Sequence, residues 1–321
     1  MAASKEREGL LTLGLVAAVF YGLAAYAAFA NQRALGSASY LVLAPIGMSA
    51  MSLFFSDTAQ VHHFRRWLFL PWVGTLGAFF VLYALGREDL LCLLILAAPW
   101  IGIVTLAAWI IGALSLYKKR KLRDTIASII IILPFLTGRF EERLWSPEQR
   151  VEVSNVVTVD AEPEIVWRNV VDVAPLSESE LPRGVWNRLG IPRPLSAKVT
   201  GHEAGGTRLG TFEEGLKFVE PIRVFEPNRH LELDVEVDGQ SIPNSPSLRH
   251  ALTGGQFRIE RVAYRLEPIA LGQTVLRLSC TYAVRSGVNA YANAWVRIVL
   301  GDFEKGLLQA LKTRAEREST D

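Results

Sequence analysis

Three polar residues stand on strand faces that simple alternation otherwise makes apolar. In KFVEPIRVF, Glu220 shares a face with Phe218 and Ile222. In VEVSNVVTV, Asn155 shares one with Val153 and Val157. In LRLSCTYAV, Tyr282 follows Leu278 and Cys280 on one side. A polar group buried without a partner costs roughly 1–3 kcal/mol, so each of these needs a protein partner or a ligand. For Glu220 three roles are open: a ligand contact, half of a buried ion pair, or an exposed strand end if a bulge at Pro221 turns it outward. For Tyr282 the choice is between a core aromatic with its hydroxyl at the rim and a ligand contact.

Chemistry beyond binding has little to rest on. A general base needs a substrate within hydrogen-bond reach and a partner that orients it. No serine, cysteine or histidine sits in a nucleophile motif. Cys280, inside a strand, reads as an inert small hydrophobe. His202, His230 and His250 fall at strand ends or in loops, where a lone imidazole is solvated. His62 and His63 adjoin one another, but no further ligands for a metal accompany them. Cys92 and Cys280 lie in different regions and offer neither a disulfide framework nor metal spacing. No cofactor is implied.

The elements that must position these residues lie in the second half of the 321-residue chain. Val151 to Val159 alternate as a strand, followed by a helix at AEPEIVW with Pro163 in its first turn. A second short helix fits ESELPRGVWNRLG. LSAKVTG and GTRLGTF, joined through HEAGG, give a hairpin. In GLKFVEPIRVFEPNRHLELDVEV, Leu216, Phe218, Ile222 and Val224 share one face. After the turn EPNR, Leu231, Leu233, Val235 and Val237 share another. Two longer strands follow, the first slipping register near Glu260 and Arg261, which predicts a bulge. The connection at about 238–255 is long for neighbouring strands and reads as a gate, a membrane contact or a flexible crossover. A long helix, about 289–317, carries Tyr291, Trp295, Ile298, Val299, Phe303, Leu307 and Leu311 as an apolar stripe. The sheet must bury its apolar face, and this helix is the available cover.

The first ~137 residues have a different solvent in view. Five apolar stretches run at about 9–30, 39–56, 67–85, 90–117 and 125–137. The first, third and fourth reach the ~17–25 residues that span a bilayer as helix. The second is just long enough, and the fifth is short enough to be re-entrant or interfacial instead. AFA at 28–30 resembles a signal cleavage site, yet the apolar run is longer than a signal peptide's and more spans follow. Lys5 and Arg7, Arg65 and Arg66, and the cluster Lys118, Lys119, Arg120, Lys121 and Arg123 fall on one side if every stretch crosses. Only Arg33 and Arg87 fall on the other. This predicts a cytoplasmic N-terminus. A crossing fifth stretch puts everything after it outside the cytoplasm, and an interfacial one leaves it inside. Glu88 and Asp89 at a span end read as solvated charge. No row of buried charges suggests an ion path. The net charge of +2 excludes nucleic acid as the main partner.

The order strand, two helices, about six antiparallel strands, long helix resembles the START-like superfamily, also called polyketide cyclase, SRPBCC or helix-grip. The resemblance covers 151–317 and rests on AEPEIVW, FVEPIRVFEPNRHLEL and the closing LLQALKTRAE. A group of bacterial membrane proteins with several N-terminal spans is similar further, into REDLLCLLILAAPW. The resemblance implies an α-helical transmembrane bundle over 1–137, a linker at 138–150, the α+β helix-grip domain at 151–317 and a tail at 318–321. It places the protein in the bacterial inner membrane, the domain extracytoplasmic if the fifth stretch crosses. It also implies a cavity for an apolar ligand between sheet and helix. The candidate lining is Asn155, Phe218, Glu220, Ile222, Leu278, Cys280, Tyr282, Tyr291, Trp295 and Ile298. Three functions compete: a membrane-tethered carrier or receptor for a hydrophobic small molecule or lipid, an enzyme on such a substrate, and an interaction protein with a filled core. Oligomeric state is left open by the sequence.

Overall fold

A computed structural model describes residues 2–30, 36–54, 64–116, 120–144 and 147–320. Arg33, His62, His63, Lys118 and Lys119, on which charge and metal arguments drew, lie outside the described residues. The chain forms two compact units: Met1–Pro147 with Ser286–Val288, and Glu148–Arg285 with Asn289–Asp321.

The first unit is helical: α1 (Ala2–Ala30), α2 (Ala44–Phe54, entered through a π-helical turn Ser39–Leu43), α3 (Phe64–Ala84), α4 (Leu90–Leu116) and α5 (Arg120–Leu144). Two apolar windows, Thr12–Phe29 and Leu90–Ala113, are long enough to cross a membrane. Ser39–Phe54, Phe69–Ala84 and Asp124–Gly138 are shorter. Large apolar side chains face outward over an interior that also holds hydroxyls. Phe20, Phe80 and Phe140 are 69%, 70% and 67% exposed, while the hydroxyl-bearing Ser49, Ser52 and Thr75 are fully buried. Their hydroxyls bond to backbone carbonyls, Ser49 Oγ reaching both Pro45 O and Val104 O at 3.1 Å. Glu88 is not solvated as expected. It is buried and accepts from the Tyr26 hydroxyl at 2.7 Å. Asp89 caps α4 by accepting from Cys92 N at 3.0 Å.

The residues read as a linker, 138–150, are helix to Leu144 and strand from Glu148. Nothing between Gly138 and Leu144 breaks a helix, and Glu141 rewards its continuation. Its carboxylate accepts from Ser37 Oγ at 2.9 Å, Ser39 N at 2.8 Å and Ala38 N, closing the start of the Ser39 turn.

In the second unit β1 (Glu148–Val159) leads to α6 (Pro163–Val171) and a four-residue α7 (Val185–Arg188), much shorter than the helix expected there. The strands β2 (Pro194–Thr200), β3 (Thr207–Phe212), β4 (Lys217–Glu226), β5 (His230–Asp234), β6 (Glu236–Val237), β7 (Phe257–Ala270) and β8 (Gln273–Arg285) follow. Between β6 and β7, part of the long connection coils into α8 (Pro246–Thr253), with Leu248 buried. The last helix, α9, runs Asn289–Thr320 and takes in the expected tail.

All pairings are antiparallel, in the order β1-β8-β7-β5-β4-β3-β2, with β6 beside β4. The β4–β5 turn sets Asn228 in the left-handed region, which asparagine tolerates. The expected bulge occurs between Ile259 and Arg261. A further irregularity falls between Ile222 and Val224, not at Pro221, so Glu220 keeps its inward alternation. Two neighbours on α9 measure the curvature. Glu304 bonds to Asn155 of β1, while Phe303 stacks on Phe212 of β3, ring centroids 6.2 Å apart. In a flat sheet, strands five intervals apart would lie about 24 Å from each other. The sheet therefore bends round the helix.

The core fills one end of that grip. Leu307, Leu308, Leu311 and Ala315 pack against Leu231, Leu233, Leu276, Leu278 and Tyr264 of the sheet and Val166 and Val170 of α6. Arg314, also buried, ties α9 to the segment before α7: it donates to Ala174 O at 2.8 Å, Pro175 O at 2.9 Å and both oxygens of Glu180. That pairing holds the Glu180 carboxyl well below the usual carboxylate range.

Candidate functional site

A helix of 3.6 residues per turn returns to one azimuth after seven or eleven residues. Arg297, Glu304, Leu308, Leu311 and Ala315 thus share the face of α9 that meets the sheet. Along that face Leu308, Leu311 and Ala315 are sealed, yet Arg297 is exposed. Val296 and Leu300 beside it are only half-buried, and a Cβ built on Gly301 meets nothing within 4 Å. This face of α9 is sealed along its C-terminal half and partly exposed along its N-terminal half, the open end.

Glu304 sits at the boundary, 1% exposed. Its Oε2 accepts from Asn155 Nδ2 at 2.6 Å. Its Oε1 is buried and makes no well-formed hydrogen bond, and only a weak pull from the Cys280 backbone reaches the carboxyl. Burial raises this carboxyl to about 7 against the Asn155 hydrogen bond, and the nearby Glu152 charge adds to the rise. Toward the open end the Tyr282 hydroxyl is likewise buried without a well-formed hydrogen bond. Burial pushes it up, while the Arg297 guanidinium beside it pulls it down. The Cys280 thiol is pushed up to about 12, chiefly by burial, so it is no thiolate nucleophile at neutral pH.

A second polar group lies on the opposite limb of the sheet. Arg208 of β3 and Glu220 of β4 face each other in register and pair at 2.6 Å, both almost wholly buried. Arg208 also donates to Val170 O at 3.0 Å and stands 5.3 Å over the Tyr264 ring. Each charge is compensated, which is what keeps a buried ion pair tolerable. Among the described residues, no group of three His, Cys, Asp or Glu side chains could hold a metal ion.

No protein-family model matches the chain, and no curated protein matches it. Several solved structures are similar to its second half. The Zhui aromatase/cyclase from Streptomyces sp. R1128 is 13% identical, covering 53% of this chain and 95% of its own, with a TM-score of 0.37. A START superfamily protein from Mycobacterium smegmatis is 15% identical over 52% of this chain and 97% of its own, TM-score 0.36. A protein from Nitrosospira multiformis is 17% identical over 53% and 100%, TM-score 0.34. The fold described above stands on its own strand order and register.

The sequence candidates divide into four groups. Asn155, Cys280 and Tyr282 come together with Glu304 along the β1–β8 wall. Phe218 is buried against Phe212 at 5.1 Å, next to the Arg208–Glu220 pair. Ile222 and Leu278 belong to the sealed core. Tyr291, Trp295 and Ile298 are corrections. They stand about 140°, 180° and 120° round the helix from Glu304. The Trp295 ring meets Trp186 of α7 at 6.2 Å and Tyr291 at 6.3 Å, and Ile298 is 54% exposed. The apolar stripe read from the sequence mixed two faces of α9, one under the sheet and one under the α7 segment. Glu304, Arg297, Arg208 and Tyr264 were missed. For Glu304 the signal was there: it interrupts the spacing 304, 308, 311, 315, an inward position by the same rule that marks its neighbours.

Proposed function

We propose that the second unit binds a hydrophobic small molecule or lipid in the open end of the grip, and that the helices of the first unit tether it to a bilayer. The observation that carries the binding reading is the change along one face of α9, from sealed at Leu308 and Leu311 to open at Arg297 and Gly301. Val296 and Leu300, half-exposed along this stretch, leave apolar surface that a ligand would remove from water, at about 25 cal/mol per Å². The tether reading is supported by the outward Phe20, Phe80 and Phe140 and the buried hydroxyls of the first unit. Holding the open end near a membrane would raise the effective concentration of a lipid-soluble ligand without any new contact.

The test is solvent extraction and mass spectrometry of the purified full chain, beside Gly301→Phe. Gly301 is helical and its Cβ direction is open, so the substitution fills the concavity while favouring the helix. A hydrophobic molecule should co-purify with the natural chain and drop at least tenfold in the variant, with the melting temperature held. Equal recovery from both chains would reject the site. Glu304, poised to exchange a proton near neutral pH beside Asn155, favours the enzyme reading as second choice. That reading requires the extracted molecule to be converted on incubation, and its recovery unchanged would dismiss it.

The extracytoplasmic placement of the second unit is also proposed, on the basic clusters flanking the apolar stretches. An alkaline phosphatase fused after Thr320 should be active and a cytoplasm-dependent fluorescent protein dark. The opposite pair of results places the unit in the cytoplasm.

A further inference from the structure

The polar groups at the open end narrow the class of ligand, an inference that rests on the binding reading above. We propose that the molecule is a neutral amphiphile whose polar end is a hydroxyl, held by Glu304 Oε1 with the Tyr282 hydroxyl alongside. Asn155 occupies Oε2 as a donor at 2.6 Å, so any exchange with a ligand falls to Oε1. Oε1 and the Tyr282 oxygen are both buried and both lack a well-formed hydrogen bond. Tyr282 lies two positions beyond Cys280 on β8, on the same face and toward the open end.

Charge decides what that head is. Arg297 stands two turns before Glu304 on the same face and repels a cationic head. Glu304 itself repels an anionic one when ionised, and Glu152, exposed on the outer face of β1, adds to this through the sheet. From β8 and β7, Cys280 and Tyr264 are held protonated by burial and bring no charge. Arg208 and Glu220 neutralise one another. A neutral head remains. With its carboxyl near 7, Glu304 offers a donor at Oε1 when protonated and an acceptor when ionised. A ketone is satisfied by the first form alone and an ammonium by the second alone. A hydroxyl both donates and accepts, and so satisfies Oε1 in either form.

The experiment uses the full chain in lipid nanodiscs, with empty nanodiscs as the baseline. Radiolabelled dodecane, 1-dodecanol, 2-dodecanone and dodecylamine are bound between pH 5.5 and 8.5. At pH 7 dodecanol should bind about tenfold more tightly than dodecane, the worth of one well-placed buried hydrogen bond. It should vary less than twofold with pH, whereas dodecanone should weaken as pH rises through about 7. Glu304→Gln keeps Asn155 as a donor to its oxygen and presents an N–H in place of Oε1, so dodecanone binding should become flat with pH. Glu304→Leu should reduce dodecanol to the affinity of dodecane. Equal binding of dodecane and dodecanol by the natural chain, dodecylamine binding as tightly as dodecanol, or dodecanol undiminished in Glu304→Leu would each overturn the hydroxyl assignment. Each leaves the apolar site standing. Binding of none of the four above the baseline would overturn the site itself.

Discussion

Replacing Glu304 with Gln should change how the stability of the second unit depends on pH. In the folded chain the carboxyl titrates at about 7, and in the unfolded chain at its ordinary 4.5. Below 4.5 both states carry the proton and Glu304 imposes no penalty. As pH rises from 4.5 to 7, the unfolded state loses its proton while the folded state keeps it. The folded state then binds more protons, and stability falls with pH. Above 7 both are ionised and the loss is complete. At about 1.4 kcal/mol per pKa unit the full loss is about 3 kcal/mol. Glu304 sits at the boundary of the half-exposed stretch, so solvent screening makes this an upper figure. Gln keeps the Asn155 hydrogen bond and cannot ionise, so its stability should lack this component. Hydrogen exchange of the Leu278 and Leu308 amides reports opening of this core, once the pH dependence of intrinsic exchange is divided out. The natural chain should lose between about 1 and 3 kcal/mol of opening free energy relative to Glu304→Gln between pH 4.5 and 7.5. The Gln chain serves as the reference because other groups titrate equally in both. Parallel curves for the two chains would refute the claim that Glu304 is held neutral by burial.

Two further substitutions test the rest of the grip. Arg208→Leu leaves Glu220 buried without its cation and should cost about 3–5 kcal/mol in thermal or urea unfolding, while Arg208→Leu with Glu220→Leu should recover most of it. A double variant as unstable as the single would mean that the pair is not what positions β3 on β4. Leu308→Ala should cost about 2–5 kcal/mol. Leu300→Ala, eight residues earlier on α9, should cost under about 1.5 kcal/mol because its side chain is only half out of water. Equal costs at the two positions would contradict a grip that is sealed at one end and open at the other.

The parts legible in the sequence are those that alternation or turn chemistry fixes locally. The β2–β3 hairpin, the EPNR turn, the bulge near Glu260 and the inward faces of β1 and β8 all follow from period two and a few turn residues. Glu220 was legible as inward, but its partner was not. Arg208 lies on another strand, and only register brings the two together. Of the stretch ESELPRGVWNRLG only Val185–Arg188 is α7, opening at Gly184 and ending before the left-handed Gly190, with Trp186 packed on Trp295. The α9 stripe was also misread. A helix covered on two sides has apolar residues at more azimuths than one face holds, and periodicity alone cannot assign each to its cover.

The place of β1 in the sheet has a consequence for biosynthesis. It is the first strand of the second unit to leave the ribosome, and its pairing partner β8 is the last. Val159 and its partner Thr274 are 115 positions apart. At the usual 5–20 residues per second that interval is on the order of 6–20 s. Throughout it, Val151, Val153 and Val157 have no strand to pair with, and α9, which covers them, is made later still. The nascent chain therefore presents an unpaired, valine-rich strand for far longer than a hairpin takes to close. Until synthesis reaches Thr320 the strand lacks both its pairing partner and its full cover.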